Sequence, residues 1–113
     1  MMTHASVYQT QGVFFMENEQ NLRKKIEGLK QQISNLGDMR PGSLTRQMRS
    51  WGKEYWQISY THRGRGRTGY VSDENYERVK IECENFRRFK EWCLELVDLS
   101  VELAKLTDKK NNV

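Results

Sequence analysis

Between Arg40 and Tyr70 the chain interleaves guanidinium groups with aromatic rings, the combination that proteins use to hold phosphates and to stack on bases. Across residues 38–70 the cations Arg40, Arg46, Arg49, Lys53, Arg63, Arg65 and Arg67 face only Asp38 and Glu54, a local net charge of +5. Six of these seven are arginines, whose planar fork grips phosphate through two parallel hydrogen bonds and stacks on rings. Trp51, Tyr55, Trp56, Tyr60 and Tyr70 lie among them. Strand alternation turns some of these rings outward, where they could stack on unpaired bases, and others inward against Phe86, Phe89 and Trp92. His62, beside Arg63, adds to the same charge. The candidate contacts are therefore Arg40, Arg46, Arg49, Lys53, Tyr60, His62, Arg63, Arg65, Arg67 and Tyr70. Their expected partner is nucleic acid, DNA or RNA, or a nucleoprotein; a plain solvated hairpin and an acidic protein surface are the alternatives.

The run Gly64-Arg65-Gly66-Arg67-Thr68-Gly69 spells G-x-G-x-x-G. As a dinucleotide fingerprint it would need a parallel βαβ unit with a helix opening among the glycines, and a chain with one hairpin cannot supply that sheet. The remaining physics is simpler: glycines let a backbone approach phosphates while the flanking arginines neutralise them.

Catalysis calls for a base, a nucleophile or a metal brought together. The two histidines are His4, near the N-terminus, and His62, at the turn. Cys83 and Cys93, ten residues apart on one helix, would be separated by roughly 15 Å, too far for a disulfide, and read as small hydrophobes. The carboxylates have basic neighbours three or four residues away, as in Glu84–Arg88 and Arg87–Glu91, and read as surface ion pairs. The expectation is a non-enzymatic protein with no cofactor and no metal site.

These residues need a frame. With 36% hydrophobic and 30% charged residues over 113 positions, the chain supports one modest core and helices with wide solvated faces. It has no apolar run near the length of a membrane span, and its N-terminus lacks a basic region followed by an apolar stretch, so a cytoplasmic protein is expected. Met16 opens a segment that reads as a natural beginning, and residues 1–15 are expected to be an extension with little structure. From Glu17 the apolar positions Leu22, Ile26, Leu29, Ile33 and Leu36 step by four and three, the spacing of a narrow helical seam, with Gly37 as the stop.

Pro41 marks the break between helix and sheet. Ser43–Trp51 reads as a strand of modest quality and Glu54–Thr61 as a better one, with Trp56, Ile58 and Tyr60 alternating with polar residues. Arg63 to Arg67 forms the turn, and a short strand returns through Tyr70 and Val71. Ser72 and Asp73 are N-cap candidates for a long helix, with Asp73, Glu74 and Glu77 favoured by its dipole. Its stripe runs through Tyr76, Val79, Cys83, Phe86, Phe89 and Trp92, then Leu96, Leu99, Leu103 and Leu106. The fold class expected is α+β: an N-terminal helix, a β-hairpin or three-stranded antiparallel sheet, and a long C-terminal helix that forms a coiled-coil-like antiparallel hairpin with the first. The sheet is expected to cover the aromatic half of the long helix and the short helix its aliphatic half. The domain spans residues 16–106, with a polar tail over 107–113. The long helix carries nine acidic and six basic residues over 73–106, net −3, so the charge is polarised between hairpin and stalk.

The stretch Arg40-Pro-Gly-Ser-Leu-Thr-Arg-Gln-Met-Arg-Ser-Trp-Gly-Lys53, with Arg67-Thr-Gly-Tyr-Val71 and Asn85-Phe-Arg-Arg-Phe89, resembles a family of short uncharacterised prokaryotic proteins often encoded near mobile elements. The likeness covers roughly residues 40–105. Trp51 stands where that family has its first cysteine, and no cysteine follows Lys53 until Cys83, so a zinc site implied by the family is lost here. The resemblance implies the fold and a phage or mobile-element setting. It leads to a second functional expectation: a protein that binds a host protein or nucleoprotein and inhibits or adapts it, in the manner of an anti-CRISPR. A homodimer through the helices, or a self-associating structural domain, is a third.

Overall fold

The computed structural model describes the backbone of residues 4–111 and the side chains of residues 18–111. The elements run α1 (His4–Ser34), β1 (Ser43–Met48), β2 (Glu54–His62), β3 (Arg65–Val71), a 3-10 turn (Asp73–Asn75) and α2 (Tyr76–Asn111), an α+β architecture. Among the described residues no helix is long and apolar enough to cross a membrane. The chain divides into a helical unit, residues 1–35 and 92–113, and a sheet unit, residues 36–91, with α2 contributing to both.

In the helical unit the stepped seam is the buried face. Leu22, Ile26 and Leu29 are buried and Ile33 half-buried, while Trp92, Leu96, Leu99, Leu103 and Leu106 of α2 are the less exposed positions of that helix. Glu19 meets Lys110 at 3.4 Å, and Ile26 and Lys30 line a hollow with Ser100 and Leu103, so numbering rises along one helix as it falls along the other: the pair is antiparallel. Each fully buried aliphatic side chain here is worth about 1.5–3 kcal/mol. α1 begins at His4, earlier than the apolar spacing indicated, because no proline interrupts the segment and each added residue closes one more backbone bond. The backbone of residues 4–15, expected to have little structure, belongs to α1, and the side chains of that stretch lie outside the described residues. At the other end, Gly37 does not act as a left-handed cap; α1 closes when Asn35 N–H donates to the carbonyls of Gln31 and Gln32 at 3.0 and 3.3 Å. Instead of ending at Leu106, α2 continues through the expected tail to Asn111, with Lys109 and Lys110 placed favourably in its last turn.

In the sheet unit the strand order is β1-β2-β3, all antiparallel. β1 ends at Met48, short of Trp51, because Arg49 to Gly52 form a turn: Gly52 N–H donates to Arg49 O at 2.9 Å, and Gly52 takes φ +88°. The β2–β3 connection is tighter than the five-residue turn expected. It consists of Arg63 and Gly64 at φ 51° and 77°, the two positive φ angles of a type I′ hairpin whose twist matches its strands. Gly66 and Gly69 therefore belong to β3, and Gly69 sits opposite Ile58.

Ile58, Val71 and Val79 form the buried core, with Leu44, Trp56 and Cys83 packed against it. Trp56 stacks on Tyr76 at 4.3 Å between ring centroids. The sheet thus packs on the first turns of α2, at Tyr76, Val79 and Cys83. Beyond them, at Phe86 to Lys90, the helix stands off across an open cleft instead of being covered along its whole aromatic half. Ser72 starts the following turn with its backbone, accepting from Asn75 N–H at 3.1 Å, and its side chain makes no capping bond.

Gly42 takes φ +148°, and a Cβ there would lie 2.7 Å from Ile58 Cγ1 and Cδ1. Gly42→Ala is expected to destabilise the protein by about 1–3 kcal/mol, through overpacking against the core and the loss of a permissive backbone. Urea denaturation checks this.

Candidate nucleic-acid interface

The pleat sorts the sheet into two chemically different faces. On β2, Trp56, Ile58 and Tyr60 point to the α2 side; across the ladder they are joined by Leu44, Arg46, Gly69, Arg67 and Val71. The opposite face carries Thr45, Gln47, Tyr55, Gln57, Ser59 and Thr68, and none of its strand positions is charged. Its side chains bond to one another: Gln57 Nε2 donates to Ser59 Oγ at 3.2 Å, and Gln47 Nε2 to Thr45 Oγ1 at 3.0 Å. The positive charge of the strands is therefore confined to the helix side.

Across the sheet unit the ten sequence-predicted residues do not converge. The two turns of the sheet stand at opposite ends of β2, about 27 Å apart at 3.4 Å per residue. Arg46, Arg49 and Lys53 lie toward the first turn; His62, Arg63, Arg65 and Arg67 lie toward the second. Three of the arginines are engaged by the protein itself. Arg40 Nε is 3.3 Å from Glu82 Oε1, and its backbone N–H donates to Glu82 O. Glu82 also accepts from Arg78 at 2.9 Å, so it is held by two cations. Arg46 donates to Glu54 at 2.8 Å and lies 5.0 Å from the centre of the Trp56 ring. Arg49 has no carboxylate but is stacked near Trp51 and Tyr55, at 5.5 and 4.6 Å. Tyr70 is exposed on the uncharged face, 6.2 Å from Tyr55, and Tyr60 is half-buried on the other.

Arg63, Arg65 and Arg67 make no ion pair with any described carboxylate. Arg67 leads into an open cleft of about 870 Å³ between the sheet and the first half of α2. The helix brings Lys80, Arg87 and Lys90 to the same cleft, against one acid, Glu84. Four cations and one carboxylate thus surround a wall that includes Tyr60, Tyr76 and Phe86. The helix pairs Glu84–Arg88 and Arg87–Glu91 expected from spacing do not form; the i,i+4 ion pair made in this half of α2 is Arg78–Glu82. Arg87 is left available.

Lys80, Arg87 and Lys90 are masked in the sequence by the net acidic charge of α2. The signal that finds them is sidedness: steps of seven and three place them along one helical face.

Cys83 lines the cleft, and burial pushes its thiol above the ordinary range, with Arg40 and Arg87 pulling it down and Glu82 pushing it up. Among the described residues no group of three histidine, cysteine, aspartate or glutamate side chains is placed to hold a metal ion. The cleft can neutralise an anion and offer rings beside it.

Comparison with protein-family models, with curated proteins and with solved structures returned no match.

A thiol raised in the folded state favours folding below its unfolded pKa, and that contribution is lost as pH rises through the folded value. Cys83 is therefore expected to alkylate slowly at neutral pH and faster as the solution becomes alkaline. Arg87→Ala should slow it further at a given pH. Peptide-resolved mass spectrometry after timed iodoacetamide exposure reads both.

Proposed function

We propose that the sheet unit binds nucleic acid through its phosphates, in the cleft between the helix-side face of the sheet and α2. The observation that carries this reading is the meeting of Arg67 with Lys80, Arg87 and Lys90 around a single acid. Like charges gathered at an open cleft repel one another unless an anion is placed among them. Arg63 and Arg65 extend the positive surface beyond the cleft along the hairpin. Tyr60 supplies a ring for an unpaired base and Phe86, with the Lys90 ammonium 5.5 Å from its ring centre, adds an aromatic wall beside it, which makes single-stranded DNA or RNA the form best suited to the site. The sites fit a binding role, and the reading involves no cofactor and no chemical step. Arg40, Arg46 and Arg49 have structural work instead: they hold Glu82, Glu54 and the aromatic turn.

Fluorescence anisotropy with labelled oligonucleotides, single-stranded and duplex, across a salt series tests the assignment. Replacing Arg67, Lys80 and Arg87 with alanine should weaken binding and reduce the slope of log affinity against log salt by about 2–3. Arg49→Ala should leave the slope unchanged. A triple variant that keeps the original slope and affinity would refute the cleft as the phosphate site.

A further inference from the structure

Beyond the seam that packs on α1, the second half of α2 carries another apolar stripe. Leu94, Val97 and Val101 are 68%, 56% and 46% exposed, and Ala104 continues their three-four-three spacing. At about 100° per residue this stripe lies roughly 160° around the helix from Leu96, Leu99, Leu103 and Leu106. Among the described residues nothing covers it. Isolated exposed aliphatics are ordinary, but a stripe at heptad spacing on a helix is the pattern that packs against another helix.

We infer that this stripe is the seam of an antiparallel homodimer, in which α2 of one protomer packs against α2 of its partner. The charges around the stripe select both the occupant and its direction. When the helices run oppositely with Val97 facing the partner's Val101, Leu94 faces the partner's Ala104. The next layer outward then sets Lys90 against the partner's Asp108, once at each end. On the flank, Glu91 meets the partner's Lys105, again twice. The seam is thus closed at both ends by opposite charges, all drawn from exposed positions of one helix. A parallel pair would stack Lys90 on Lys90 and Asp108 on Asp108. One contact opposes the antiparallel arrangement: Asp98 meets its own copy at the two-fold axis.

This inference does not rest on the nucleic-acid reading, although Lys90 also lines the cleft. Sedimentation velocity on the full chain over a concentration series tests it, with helix content followed by circular dichroism. The chain is expected to dimerise, and Val97→Lys with Val101→Lys should weaken dimerisation at least about 100-fold without loss of helix. Asp98→Asn should tighten it about 2- to 5-fold. Glu91→Lys or Lys105→Glu alone should weaken it about 2- to 5-fold, and the two together should restore it, because position 91 meets position 105 only when the helices are antiparallel. A chain monomeric at every concentration, a dimer indifferent to the valine substitutions, or charge swaps that fail to compensate would each overturn the proposal.

Discussion

The sheet unit depends on Val79. It is the most completely buried side chain of the described residues and, with Ile58 and Val71, forms a buried core of only three members. At about 1.5–3 kcal/mol apiece, three side chains are little against the conformational entropy of a three-stranded sheet. The remaining cohesion comes from half-buried contacts at the margin of that core. Trp56 stacks on Tyr76, and Asn85 Nδ2 reaches back 3.0 Å to Asp38 O, fastening the segment that enters the sheet to the helix that follows it. Glu82 adds a charged clasp by accepting Arg78 and drawing Arg40 close.

This economy explains how the cations are divided. An arginine near a small core serves twice, covering apolar surface with its stem while its head meets a carboxylate or a ring. Arg40 meets a carboxylate, Arg46 a carboxylate and a ring, and Arg49 rings alone. Farther from the core, at the hairpin end, no acid has been provided for Arg63, Arg65 or Arg67. The strand residues of the opposite face are neutral, so the positive surface of the sheet has a definite side. What sets Arg63, Arg65 and Arg67 apart is the absence of a described carboxylate partner, a property of geometry that composition does not report.

Much of the architecture was legible in the chain because it rests on periodicity. The four-three steps from Leu22 to Ile33 and the stripe from Tyr76 to Leu106 mark the less exposed positions of both helices. Alternation at Trp56, Ile58 and Tyr60 identified the central strand for the same reason. Turns were less legible. Gly64, Gly66 and Gly69 look alike in sequence, yet one occupies a left-handed turn position and the others lie in a strand, Gly69 opposite Ile58. Local propensity cannot separate those uses, because the second is set by a residue on a neighbouring strand. The site was half legible: Tyr60 and Arg67 belong to the anticipated cluster, whereas Lys80, Arg87 and Lys90 join them only because α2 crosses the sheet at that point.

The position of β3 at the rim of a three-stranded sheet has one more consequence. Its outer backbone donors and acceptors are an open template on which another chain could add a strand. The guanidinium groups of Arg65 and Arg67, with Arg63 at the bend, place the same sign of charge along that border. A second copy laying its own β3 alongside would bring six such groups together, so edge-to-edge growth of the sheet is repelled. The residues assigned to phosphate in the proposed function thereby have a second use, as gatekeepers against amyloid-like stacking.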